Sequence, residues 1–431
     1  MTNLETIIRG LIGIIALLSV CYIFSGNRKN INWKIVTKGL LIQIIFAILI
    51  LKVPFVESLF QGISNVFLAI LEFTKSGAIF LFGEKLVSDT SFGAIFAFQI
   101  LPTIVFFSAL TSLLFYLGIL QKIVYFFAAI MKKTMNLSGA ESLAASGNIF
   151  LGQTESPLLI KPYISKMTES ELLCLMGGGM ATIAGGVFIA FTAMLGEEFA
   201  PHLLAASVMS APAAIVACKI LIPETKKINK KMAISDTDTL GSNGFDAIAL
   251  GTIQGVKLAV NVGAMILVFI AFIALINELL NLLGNTSGIN QMLIENNGNY
   301  TQLSLEMLFG YLFAPIAWLI GIPSQDILLA GQLLGEKTVA NEFIAYNSLS
   351  GMMNMCSVID ENLYLLQEKT IVMATYFLCG FANFLSIGIQ IGGIGAIAPE
   401  RRTDLSKLGI KALIAGTIAS LLTAVIVGIL I

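Results

Sequence analysis

Glu155 is a carboxylate inside an apolar stretch, in the run Gly152-Gln153-Thr154-Glu155-Ser156-Pro157. At bilayer depth such a group costs about 2.5–3.5 kcal/mol on insertion scales, so carboxylates placed there face a cavity and work in it. An amide and a hydroxyl precede this one, and a helix breaker follows. Together Gln153, Thr154 and Glu155 offer donors and acceptors suited to the edge of a nucleobase or a sugar. Three consecutive polar side chains exceed what a turn needs to satisfy its own backbone.

A second carboxylate, Glu342, lies in Asn341-Glu342-Phe343, in another membrane-competent segment. It can accept hydrogen bonds from ligand hydroxyls, as carboxylates do from diols; the alternative is a place in water at the outer interface. In Phe381-Ala382-Asn383-Phe384-Leu385-Ser386, Asn383 and Ser386 stand three apart and share a face if the segment is helical. That spacing fits ligand contact and helix–helix hydrogen bonding equally, while Phe381 could wall in a planar ligand. Asn148 and Thr182 are neutral oxygen donors near expected helix breaks, the kind of group that joins unwound carbonyls around sodium. Arg9 and Lys257 read as residues near helix ends that snorkel toward water.

The elements that must position these groups belong to a membrane protein. Of 431 residues, 57% are hydrophobic and 12% charged, with mean hydropathy +0.89, whereas soluble domains carry about 25% charged residues. The net charge of −1 says nothing about a nucleic-acid partner, but no basic domain stands out and no such partner is expected. Cys21, Cys174, Cys218, Cys356 and Cys379 form no CxxC pair and read as small core hydrophobes. A single histidine, His202, cannot build a multi-histidine metal site, and an interfacial place is expected for it. Residues 7–24 lack a convincing cleavage site and read as a retained first membrane helix.

Spanning helices need about 20 mostly apolar residues. Candidates are 7–24, 35–52, 91–117, 170–195, 200–222, 252–284, 369–396 and 407–431, with 55–76 and 119–132 as amphipathic interfacial helices. Arg28, Lys29 and Lys34, then Lys226, Lys227, Lys230 and Lys231, then Arg401, Arg402 and Lys407 mark cytoplasmic loops. Glu197, Glu198 and the Asn-rich stretch 285–303 mark outer ones. The crossings close only if 138–163 enters and leaves from the cytoplasm and 304–350 from outside. Both are then re-entrant hairpins, each followed by a glycine-rich helix, the pattern of an inverted-repeat secondary transporter. Irregular backbone at membrane depth is tolerated only against protein or a watery cavity, so the hairpin tips should converge on one central site.

Four motifs resemble those of concentrative nucleoside transporters: Gly147-Asn148-Ile149-Phe150-Leu151-Gly152-Gln153-Thr154-Glu155-Ser156-Pro157, Ala181-Thr182-Ile183-Ala184-Gly185-Gly186, Thr338-Val339-Ala340-Asn341-Glu342-Phe343 and Cys379-Gly380-Phe381-Ala382-Asn383. Ala398-Pro399-Glu400-Arg401-Arg402 continues the match, which covers roughly residues 90–430; the first 90 residues match in architecture only. The resemblance implies an all-α membrane fold of eight transmembrane helices, two oppositely oriented hairpins and interfacial helices, assembled as a homotrimer in the inner (cytoplasmic) membrane. It implies a scaffold over 1–137, with part of 246–284, and a transport core over 138–431. Gln153, Thr154 and Glu155 match the family's base-contacting positions, with Val187 as an apolar wall. Glu342, Asn383 and Ser386 match its ribose-contacting positions, and Phe381 the neighbouring aromatic. Asn148, Leu151, Thr182 and Ile183 match its sodium site, where Thr182 stands in place of the serine of some members.

The expectation is a symporter, not an enzyme, that imports nucleosides on the sodium gradient by alternating access, with Na+ as coupling ion and no organic cofactor. Proton coupling is the alternative ion. An intramembrane enzyme acting on a lipid-linked substrate would want catalytic carboxylates or histidines at the interface, and the chain has one histidine and no Asp pair in a membrane segment.

Overall fold

The computed structural model describes residues 3–88, 95–232, 241–295, 299–354 and 366–431. Among these there is no strand. Cys356 lies outside the described residues; Cys21, Cys174, Cys218 and Cys379 are buried free thiols.

The N-terminal third comprises α1 (Asn3–Ile23), α2 (Trp33–Lys52), α3 (Pro54–Phe82), two single turns α4 (Glu84–Val87) and α5 (Phe96–Gln99), and α6 (Leu101–Tyr116). Then come α7 (Ile119–Met135), α8 (Gly139–Asn148), the short α9 (Ser156–Leu159) and α10 (Lys161–Ile164), α11 (Glu169–Ala181), α12 (Gly185–Leu195) and α13 (Ala200–Leu221). The 44-residue α14 (Gly244–Ser287) and short α15 (Ile289–Glu295) lead to α16 (Leu305–Leu319), α17 (Ile327–Val339), α18 (Glu342–Asn354), α19 (Glu368–Leu378), α20 (Phe384–Ile397) and α21 (Arg402–Leu430).

Direct contacts fix the topology. The Gly26 amide donates to the Leu221 carbonyl at 2.9 Å, and the Gly139 amide to the Asn229 carbonyl at 2.9 Å. Both join the lysine-rich loop after α13, so the α1–α2 turn and the start of α8 are cytoplasmic. Helix α6 runs antiparallel to α14. A Cβ on Gly263 would lie 3.1 Å from Leu101 Cδ1, whereas one on Gly251 would lie 2.6 Å from Ser112 Cβ. Gly251 and Gly255, four apart, are what let these two backbones approach.

Eight helices among the described residues are long and apolar enough to cross a membrane, and Pro54–Phe82 is one of them. Yet α2 ends on the outer side and α6 begins there, so α3 leaves and returns to one face. It lies at the outer interface, the place expected for 55–76, and extends to 29 residues. The eight crossings are α1, α2, α6, α11–α12, α13, α14, α19–α20 and α21.

Two expected elements are corrected. The segment 369–396 is two helices, α19 and α20, separated by Cys379–Asn383. The cause is local: Gly380 has φ +104°, a conformation that ends a helix, and Asn383 restarts one by accepting from the Ser386 amide at 2.8 Å. The stretch 304–350 is likewise a separate helix, α16, followed by a hairpin of α17 and α18. Hydropathy runs on through the Gly321–Pro323 turn and hides that boundary.

With those corrections the inverted repeat is regular. Helix α7, hairpin α8–α9, broken helix α11–α12 and α13 correspond to α16, hairpin α17–α18, broken helix α19–α20 and α21. Each hairpin is rooted at the first turn of its own broken helix. Lys219 Nζ, ion-paired with Glu141 of α8, donates to Ser170 Oγ of α11 at 3.0 Å. Asp326, preceding α17, accepts from Thr370 Oγ1 of α19 at 2.5 Å and from the Gln367 amide at 3.0 Å. Arg9, expected to snorkel, is instead buried and donates to the Trp318 and Ile322 carbonyls at 2.9 and 3.0 Å. The end of α16 supplies acceptors nearer than water. Lys257 is exposed.

Candidate functional site

The two helix breaks meet at the centre. A Cβ on Gly380 would lie 2.6 Å from the Ala181 carbonyl oxygen and 2.9 Å from that of Met180, so only glycine allows this approach. The glycine run Gly177–Gly179 performs a related task on α11. A Cβ on Gly178 would lie 2.8 Å from Asn148 Nδ2, and one on Gly179 2.9 Å from Gln153 Cβ. Small residues here let the first hairpin press its polar side chains against the broken helix.

The first hairpin starts at a capping box, in which Ser138 and Glu141 satisfy each other's backbone amides. Its tip runs from Ile149 to Glu155. Gln153 Nε2 donates to Ser386 Oγ at 3.2 Å, and Gln153 Oε1 accepts from Gln390 Nε2 at 3.0 Å. The Glu155 carboxylate folds back and accepts from the Gly152 amide at 3.1 Å. Thr154 packs over Gly393 of α20, where a Cβ would lie 2.8 Å from Thr154 Cγ2. Glu155 and Val187 line a shared cleft with Phe107, Thr111, Phe150 and Ala184, with room for about 10 Å³, at most a single water.

The second hairpin presents Glu342 as the first residue of α18, fully enclosed at 3% exposure. Asn383 Nδ2 donates to Glu342 Oε2 at 2.8 Å. Thus both hairpin tips are hydrogen-bonded to the first turn of α20, Gln153 at Ser386 and Glu342 at Asn383. Phe381 is half-buried beside them in the α19–α20 connection. Beside Glu342, Phe191 of α12 meets Phe343 edge-on and Tyr346 at a tilt, ring centroids 4.9 and 4.2 Å apart.

Beside the first hairpin lies a group of neutral oxygens. Asn148 Nδ2 donates to the Leu175 carbonyl at 3.4 Å, and its Oδ1 is buried with no hydrogen-bond partner. Thr182 Oγ1 donates to the Gly178 carbonyl at 2.9 Å, one helical turn back. Leu151, Thr182 and Ile183 are all buried. An orphaned buried oxygen beside a helix end, where backbone carbonyls outnumber the amides that reach them, fits a small hard cation. Among the described residues no three His, Cys, Asp or Glu gather to hold a metal.

The two carboxylates the sequence singled out are not in contact with each other; each belongs to its own hairpin. Two polar residues of the centre escape sequence reasoning. Gln390 bridges Gln153 to the Met176 carbonyl at 2.8 Å. It stands four residues beyond Ser386, so Asn383, Ser386 and Gln390 form a polar stripe at helical spacing that was there to be read. The second is Lys337, enclosed at the end of α17.

Comparison with known proteins agrees along the whole chain. Models described as the N-terminus and C-terminus of a Na+ dependent nucleoside transporter match residues 12–85 and 202–428. A model described as nucleoside recognition matches 97–198. An uncharacterized transporter of Haemophilus influenzae is 39% identical over 427 residues, 99% of this chain and 98% of that protein. The sodium/nucleoside cotransporter 1 of Rattus norvegicus is 36% identical over 425 residues, 97% of this chain and 63% of the rat protein. The solved structure of CNTnw in an inward-facing, substrate-bound state has TM-score 0.88 and 36% identity, covering 98% of this chain and 97% of that one.

Proposed function

This chain belongs to the sodium-dependent concentrative nucleoside transporter family, and on that premise we propose that it imports nucleosides across the cytoplasmic membrane by symport with sodium. The observation that carries the reading is the convergence of both hairpin tips on one helical turn, Gln153 on Ser386 and Glu342 on Asn383. A ligand bound there touches both repeats at once, as alternating access requires.

In this reading Gln153, Thr154 and Glu155 contact the base, with Val187 as wall. Glu342, Asn383 and Ser386 contact the ribose, with Phe381 alongside. The amide–amide and amide–carboxylate pairs of the centre are the hydrogen bonds a nucleoside would exchange for its own, so Gln153, Asn383 and Glu342 keep partners in both conditions. The cleft around Glu155 admits at most a single water, so the base enters only as the hairpin parts from α6. Sodium, the co-transported substrate, binds Asn148 and Thr182 through side chains and Leu151 and Ile183 through carbonyls. It fixes the hairpin tip in the state that binds nucleoside, and the coupling is the difference in sodium affinity between the two states.

Helices α6 and α14 form the scaffold with α1–α5, and the two repeats move against them as the transport core. The correspondence of α7 with α16 supports a first repeat that begins near Gly118, ahead of the expected start of the core at residue 138. Only 6% of the most apolar window of α14 is buried within the chain, and 11% of that of α3; lipid and neighbouring copies of a homotrimer cover these faces.

Equilibrium binding of labelled uridine to the purified protein, in sodium or choline chloride, tests the reading. Sodium should tighten uridine binding, and uridine should tighten sodium binding by the same factor, because linkage is reciprocal. Uridine affinity independent of sodium would overturn the ion, and no affinity for any nucleoside would overturn the substrate.

A further inference from the structure

Lys337 is a fully enclosed cation that no part of the site above uses. It lies in the last turn of α17, at 2% exposure. Its Nζ donates to the Phe377 carbonyl at 2.6 Å, to Ser420 Oγ at 3.0 Å and to the Cys379 carbonyl at 3.4 Å. An ammonium has three protons, and here each has an acceptor. None of the ion pairs among the described residues involves it. A charge enclosed at membrane depth with no carboxylate in contact is costly: the nearby Glu342 attracts it only at a distance, so its carbonyl and hydroxyl acceptors must answer for most of it. Two of them are the carbonyls at the end of α19, where the helix has stopped and its own amides no longer reach. The negative end of the helix dipole adds to their attraction.

The inverted repeat gives this arrangement a counterpart. Asn148 is the last residue of the first limb of hairpin 1 and faces the final turns of α11, through the Leu175 carbonyl and the backbone at Gly178. Lys337 lies in the last turn of the first limb of hairpin 2, just before its final residue Val339, and faces the final turn of α19. A serine from the long helix of each repeat lies close by: Ser207 of α13 donates to the carbonyl of Ile149, the residue after Asn148, at 3.0 Å, and Ser420 of α21 accepts from Lys337 Nζ. In the first repeat the enclosed oxygen of Asn148 has no partner. In the second, the corresponding place is filled by an ammonium carried on the chain.

We propose that Lys337 is a tethered cation: its ammonium occupies, in the second repeat, the position that a monovalent cation takes in the first, and so the chain binds one coupling ion per nucleoside where the bare repeat would take two. This rests on the proposed sodium position at Asn148 and Thr182. Lys337 acts as a positioning residue. By holding the Phe377 and Cys379 carbonyls it fixes the α19 end of the break, and thereby the Gly380–Asn383 segment that presents Asn383 to Glu342.

The test is thermal unfolding of detergent-purified wild type, Lys337→Ala and Lys337→Met, each in choline, sodium or methylammonium chloride at equal ionic strength. Lys337→Ala leaves room for a small cation, whereas Lys337→Met fills the space with an uncharged chain. Both variants should melt lower than wild type. Methylammonium should raise Lys337→Ala by roughly 3–5 °C and leave wild type and Lys337→Met unmoved, a charge-specific rescue that a packing role would not give. Variants as stable as wild type, or a Lys337→Ala protein indifferent to methylammonium, would overturn the proposal. Should neither variant fold, the wild-type coupling ratio decides, measured from the membrane potential that stops net uridine uptake. One sodium per uridine supports the tethered cation and two overturns it. A wild type that takes up no nucleoside would sink the transport reading alone, because the melting comparison needs no transport.

Discussion

Asn383 ties the second hairpin to the broken seventh helix: its Nδ2 donates to Glu342 Oε2 at 2.8 Å while its Oδ1 accepts from the Ser386 amide at 2.8 Å. One side chain therefore caps a helix and holds the only carboxylate at the tip of hairpin 2. A hydrogen bond with a charged partner contributes about 1.5–3 kcal/mol, twice or more the neutral kind.

Replacing that carboxylate should therefore be felt most by the sugar. Glu342→Gln keeps the shape and removes the charge, and uridine half-saturation should rise about 10–100-fold. Wild type should discriminate strongly against 2′,3′-dideoxyuridine, and the variant should lose most of that preference. Competition uptake with both nucleosides reads the outcome; equal discrimination in the two proteins would remove Glu342 from the ribose.

Gln390 should matter to the base side through Gln153, although it is not itself one of the proposed ligand contacts. Gln390→Leu deletes the donor to Gln153 Oε1 and to the Met176 carbonyl. Leaving a buried acceptor unsatisfied costs about 1–3 kcal/mol. Uridine affinity should fall roughly tenfold, while its preference for ribose over dideoxyribose stays as in wild type. Binding titrations with the two ligands separate these quantities.

Thr182→Val is nearly isosteric and removes the one hydroxyl at the α11 break. Half-saturation by sodium should rise about tenfold, on the scale of one lost ligand. The maximal uptake rate at saturating sodium should change little. A variant whose sodium curve overlays that of wild type would place the ion elsewhere.

The meeting of the two breaks predicts a stability effect. Gly380→Ala puts a side chain at φ +104° and a Cβ 2.6 Å from the Ala181 carbonyl. The left-handed conformation alone costs about 1–2 kcal/mol, and the contact forces α11 and the α19–α20 connection apart. Melting temperature and uridine binding should both fall. Gly392→Ala is the control: its Cβ meets nothing within 4 Å, so stability should hold or rise slightly.

Much of this was legible in the sequence, for identifiable reasons. Charge asymmetry gave the orientation of the loops, and counting crossings gave two hairpins from opposite faces, because lipid admits few ways to place polar backbone. Glu155 and Glu342 stood out because carboxylates are rare in such surroundings. The break at Cys379–Asn383 was missed since hydropathy sees no interruption in an apolar run, although Gly380 and the Asn383 cap were visible. The α16–α17 boundary was missed for the same reason. Arg9 and Lys337 could not be placed from sequence. Whether a cation snorkels or turns inward depends on carbonyls that only the folded helix ends expose. The fold-back of Glu155 onto Gly152 likewise depends on the geometry of a turn whose residues alone do not fix it.

The central claim is coupled movement of sodium and a nucleoside, and uptake into proteoliposomes measures it most directly. Radiolabelled uridine should accumulate above its outside concentration under an inward sodium gradient, with choline outside giving no accumulation. Dissipating the proton gradient should leave that accumulation intact. Uridine accumulation in sodium-free buffer, driven by an inward proton gradient alone, would contradict the account.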